Sequence, residues 1–115
     1  AAVRKAGLTL PDVEATTRYD GSPILRLGGV FMAGLASHAS AEVGTLVVRM
    51  AVEERDVLVE EAPETYYVTD HYRPHPVVLV RLLHIDQAAL PDLLSTAWRM
   101  AAVKARYRGR AKRPP

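Results

Sequence analysis

The sequence predicts an α+β domain of two layers, a five-stranded antiparallel sheet flanked by a helix at each end of the chain. Three observations carry that expectation. Short β-branched and apolar segments recur between turn residues from Thr16 to Leu82, the spacing of strands joined by turns. Gly28-Gly29 separates two apolar stretches, and a two-residue hairpin loop needs the positive φ angles that glycine takes without steric cost. The period then changes: Leu90, Leu93, Leu94, Ala97, Trp98 and Ala101 recur at the intervals of one helix face. Strand signals gathered ahead of one long amphipathic helix favour segregated layers over alternating βαβ units.

Element by element, Ala1 to Leu8 is rich in helix formers and stops at Gly7 and Pro11, so a short helix opens the chain. Thr16 to Tyr19 and Ser22 to Leu27 extend on either side of the turn signal Asp20-Gly21. Val30 to Leu35 completes the Gly-Gly hairpin. Thr45 to Met50 alternates, with Leu46, Val48 and Met50 on one face and Arg49 on the other. Glu53, Glu54, Asp56, Glu60 and Glu61 surround Val57 and Leu58 in a short helix with an acidic outer face, its leading acids placed at the positive end of the helix dipole. Tyr66 to Val68 is strand-like. Val77 to Leu82 is almost continuously apolar, the pattern of a central strand covered on both faces. In the last helix Asp86 caps a first turn, Pro91 falls where a missing N–H costs little, and Trp98 lies on the buried stripe.

The chain has 115 residues, 49% hydrophobic and 24% charged, which suits one folded domain with its own core and argues against wholesale disorder. Zero cysteines exclude disulfides, thiolate metal sites and cysteine nucleophiles. No apolar run reaches the roughly 18 residues of a membrane span, and no n-region and h-region pair opens the sequence, so a secretory signal is expected to be absent or to have been removed with whatever preceded Ala1. The expected location is the cytoplasm, with no membrane partner. One domain is expected over residues 1–106, followed by a tail over residues 107–115.

Charge is distributed unevenly. Residues 1–98 hold 8 basic against 13 acidic residues, a balance of −5, whereas residues 99–115 hold 7 basic residues and no acid. Those cations are Arg99, Lys104, Arg106, Arg108, Arg110, Lys112 and Arg113. From Tyr107 the chain reads YRGRAKRPP, without apolar periodicity, so a mobile basic tail is expected. A basic end on an acidic body is the footprint of a phosphate-backbone binder; the plainer alternative is a solvated terminus that keeps the protein soluble.

The densest functional stretch is His71-Tyr72-Arg73-Pro74-His75-Pro76. Its prolines forbid the helix on which two histidines four apart would share a metal, and only Asp70 stands near as a third ligand, so no metal is expected. His71 and His75 instead suit hydrogen bonding in the loop, with Tyr72 and Arg73 presenting a ring and a cation to a ligand. Ser22, Ser37, Ser40 and Ser95 lack a nucleophile elbow, although His38 lies between two of them. The acids from Glu53 to Glu64 read as a solvated face. No catalytic residue and no cofactor is expected.

Taken in order, LPDVE, PILRLGGVFMAGL, TLVVRM, ERDVLVEEAPETYYVT, HYRPHPVVLVRL and LPDLLSTAWRMA resemble the MmcQ/YjbR family of small bacterial proteins, over residues 8 to about 105. The resemblance implies a single α+β domain like those of secretion chaperones and frataxin-like proteins, with a five-stranded sheet and a DNA-binding role. Where many members carry a basic residue and then His-Trp, Arg73 and His75 match and Pro76 replaces the Trp. The function expected is non-enzymatic, sequence-tolerant DNA binding through Arg73, Lys104, Arg106, Arg108, Arg110, Lys112 and Arg113, with His71, Tyr72 and His75 as a further surface site. The alternative is a chaperone-like module that holds a protein partner on its sheet face or acidic helix.

Overall fold

A computed structural model describes residues 2–112 of the chain, with side chains as far as Arg106. The elements are α1 (Ala2–Leu8), β1 (Val13–Thr17), β2 (Pro23–Leu27), β3 (Val30–Leu35), β4 (Thr45–Arg49), α2 (Val52–Glu61), β5 (Tyr66–Tyr67), β6 (Val77–Arg81) and α3 (Ala89–Lys112). The six strands form one antiparallel sheet in the order β1-β2-β3-β4-β6-β5. The architecture is therefore α+β, as expected, but the sheet has six strands where five were expected. All six stretches read as extended join the sheet, the shortest of them at the edge, where Tyr66 and Tyr67 pair with Val80 and Leu79 as the two-residue β5.

The Gly-Gly hairpin forms as the sequence dictates. Leu27 pairs with Val30, and Gly28 and Gly29 take φ of 55° and 77°, the two positive values of a type I′ turn. The strand expected at Thr16–Tyr19 lies instead at Val13–Thr17. A turn closed by Arg18 N–H to the Ser22 carbonyl and Gly21 N–H to the Arg18 carbonyl removes Arg18 and Tyr19 from the ladder. Strand β6 lies inside the sheet as expected, paired with β4 on one side and with the short edge strand β5 on the other. It is buried on both faces, which is why it reads as continuously apolar.

Helices α1 and α3 cover one face of the sheet. There Leu94, Met32, Val48, Val78 and Val80 are fully buried, with Leu46 and Val30 nearly so. Trp98 belongs to the edge of this core and not to its interior: it is half-buried, and its indole N–H donates to the Pro11 carbonyl at 2.9 Å. An indole at the rim keeps its one donor paired without burying it among alkyl groups. Asp86 holds the start of α3 through its carboxylate on Ala88 N–H.

Helix α3 runs 24 residues to Lys112, so the backbone expected to leave the helix at Tyr107 stays helical beyond it. Arg, Lys and Ala are strong helix formers and carry the helix past Gly109, and cations suit a helix C-terminus. At about 1.5 Å per residue the helix is roughly 36 Å long. Five-residue strands are about half that length, so α3 overhangs the sheet and sets the molecule's 48 Å long axis against 28 Å in the other two directions. The side chains of residues 107–115, and with them the expected contacts of Arg108, Arg110, Lys112 and Arg113, lie outside the described residues. Among the described residues no helix is long and apolar enough to cross a membrane.

Candidate functional site

The second face of the sheet carries no long helix. Strand alternation sends Val47, Val77 and Leu79 to this side, where Phe31, Tyr67 and Tyr72 pack around them. The same alternation sends Arg49 here, and its Nε donates to the Phe31 carbonyl at 2.7 Å. Arg18, just past β1, donates from Nη1 to the Leu35 carbonyl at 2.8 Å and holds its guanidinium 5.6 Å from the Phe31 ring centre. Half-burial lowers the pKa of Arg49 but leaves it a cation throughout the physiological range.

The segment 69–76 folds over one end of this face. Pro74 and Pro76 keep it out of any helix, and it turns on its own backbone through Tyr72 and Arg73 N–H to the Thr69 carbonyl and His75 N–H to the Tyr72 carbonyl. Arg55 of α2 anchors it from behind. Its side chain is only 3% exposed, and Nη1 donates to the carbonyls of Arg73, His75 and Val77. The helix read as a solvated acidic face thus turns one cation inward.

At the front of the segment the imidazoles of His38 and His71 stack, with ring centres 3.5 Å apart and planes within 7°. Tyr72 stands edge-on to both, and its hydroxyl accepts from His38 N–H at 3.4 Å. His38 Nδ1 accepts from Ser40 N–H at 3.0 Å and lies 2.8 Å from Ser40 Oγ, which in turn meets Thr69 Oγ1. Ser40 and His38 therefore close a loop upon itself; no carboxylate orients the other imidazole nitrogen among the described residues, as an activated nucleophile would require. Nor does any group of three potential ligands among those residues have the arrangement of a metal site.

Desolvation holds the pKa of His71 below the ordinary imidazole value, helped by the neighbouring His38 and then His75. Folding therefore favours the neutral ring. The stack contributes its full stability above about pH 6.5 and loses it as acid charges His71. A thermal midpoint that falls between pH 7 and pH 5.5, and falls less in His71→Gln, is the expected result. Equal falls in the two proteins would show that the stack does not titrate.

These parts enclose an open groove of about 330 Å³. Arg18, Arg49 and Lys104 of α3 line it together with His71 and His75, and Phe31, Tyr72, Val47, Pro76 and Val77 form its apolar walls. No carboxylate lines it, and none pairs with these three cations among the described residues. The structure thus joins Lys104 to His71, Tyr72 and His75, which the sequence left as separate candidates. It does not bring in Arg73, which is largely exposed and pairs with Asp70 at 3.7 Å outside the lining. Arg106 is exposed and also outside it. Arg18, Arg49 and Phe31 were missed by sequence reasoning. Only Arg49 carried a signal, as the one charged residue in an otherwise apolar alternating strand.

No family model matches the chain, and no solved structure matches it. Over 47 residues it is 40% identical to an uncharacterised protein of Mycobacterium bovis, and equally to uncharacterised proteins of two strains of Mycobacterium tuberculosis. That stretch is 41% of this chain and spans only 36% of the length of those relatives.

Proposed function

We propose that the chain is a non-enzymatic, sequence-tolerant DNA-binding protein of MmcQ/YjbR type acting in the cytoplasm, with phosphates held in and beside the groove. The observation that carries this reading is a concave surface with three cations, two histidines and two aromatic rings and no acid among its lining residues. Cations gathered without carboxylates attract polyanions and leave the other partner to neutralise them. Lys104 also connects the groove to the basic end of the chain, where Arg106, Arg108, Arg110, Lys112 and Arg113 follow in sequence. Arg73 lies on the same exposed segment as His71 and His75, outside the groove and paired with Asp70, and is proposed as a separate phosphate contact.

Salt titration of DNA binding tests this. Affinity on the order of 10⁻⁴ to 10⁻⁶ M is expected at physiological salt, with a slope that falls by about 0.9 for each phosphate contact removed. Lys104→Gln removes one contact, and truncation after Ala105 removes five cations, leaving a body of net charge −3 from an original +2. Absence of binding at low salt overturns the reading.

One observation favours a protein-interaction module instead. An apolar cleft of about 440 Å³ between α2 and α3 exposes Val57 and is rimmed by Glu54 and Asp92, which suits a basic peptide. That module takes precedence if DNA binding fails.

A further inference from the structure

We infer that the groove takes a single strand, seating one nucleotide with its base against His71 and its phosphate on Arg18, Arg49 and Lys104; this rests on the DNA-binding reading above. The first ground is shape. Arg18 and Arg49 are half-buried, and each is held to a backbone carbonyl. Their charge is offered inside a recess of about 330 Å³, near the lower end of small-ligand pockets. A duplex displays its phosphates on the rim of a wide rigid cylinder, with its bases stacked inward, and cannot push a nucleotide into such a recess without unpairing it. A single strand can splay one out.

The second ground is the ring cluster. His38 stacks on one face of His71 and lies outside the groove lining, whereas His71 itself lines the groove, with the His75 ring tilted at 52° and 6.5 Å away, as an exposed, edge-buttressed imidazole. Tyr72 standing perpendicular to it fixes the ring's orientation, so little freedom is lost when a base joins the stack. Base-on-ring stacking next to recessed cations is how single strands are held without reading their sequence. Charge alone would serve any polyanion; the ordered ring is what selects an unpaired base.

The test uses the full chain at pH 8, with a fluorescent 16-nucleotide thymidine oligomer and a 16-base-pair duplex. The single strand is expected to bind at least ten-fold more tightly than the duplex. His71→Ala should weaken single-strand binding by roughly five- to a hundred-fold, the range of one lost base stack, with the salt slope unchanged. His71→Phe, which keeps a ring face and no charge, should restore it. A duplex bound as tightly as the strand, an unaffected His71→Ala, or thymidine monophosphate competing as well as the oligomer overturns the inference while DNA binding stands. Binding of neither nucleic acid at low salt overturns the reading beneath it.

Discussion

Arg55→Leu is expected to lower the free energy of unfolding by about 2 to 3 kcal/mol, the range for losing the hydrogen bonds of a buried charged donor. Arg55 is enclosed by α2 and the segment 69–76, and Nη1 alone reaches the carbonyls of Arg73, His75 and Val77 at 3.1 to 3.4 Å. Its Nε meets the largely exposed Asp56 at 3.2 Å, so that ion pair adds little and the carbonyl contacts dominate. Leucine fills the space and offers no donor. Urea unfolding should show a lower midpoint with an unchanged slope. The loss also loosens the segment that presents His71, Tyr72 and His75, so ligand affinity should fall although Arg55 lines no part of the groove. A change below 1 kcal/mol would mean that water replaces the guanidinium and that the segment is held from its front.

Leu94→Ala should cost about 2 to 5 kcal/mol, the range for deleting a fully buried leucine from a core that relaxes only in part. Leu94 has no exposed surface and sits midway along the buried stripe of α3, against the sheet face that carries Met32, Val48 and Val78. Leu83→Ala is the contrast. Leu83 is 94% exposed in the turn after β6, and its truncation should stay within about 0.5 kcal/mol. Comparable losses at the two positions would show that α3 does not pack on the sheet as described.

The α+β class, the Gly-Gly hairpin, the stripe of α3 and the irregular segment after Asp70 were all determined by the sequence. Each depends on interactions within a few residues: φ at Gly28 and Gly29, the 3.6-residue period from Leu90 to Ala101, and the two prolines that break any helix between His71 and Pro76. Propensity and periodicity act at that range. The same local signals placed the first strand three residues late, because the turn at Asp20-Gly21 reaches back by backbone hydrogen bonds to Arg18, while pairing with β2 extends the strand to Val13. They also put Trp98 inside the core, because a stripe fixes a helix face but not how far its edge is covered.

The candidate site was decided by tertiary structure. Arg18, Phe31, Arg49, the 71–76 segment and Lys104 come from β1's exit, two inner strands, a loop and the overhanging helix, and no spacing in the chain relates them. They meet because β3 and β4 are neighbours, strand pleat turns Phe31 and Arg49 to one face, and α3 is longer than the strands it crosses. Arg55 shows the same limit. Surrounded by glutamates and aspartate, it reads as one more charge on a wet helix, and only the packing of α2 against the segment 69–76 turns it inward to bind three carbonyls. Which side of an element is covered depends on residues far away in the chain, and that information appears only when the layers close on one another.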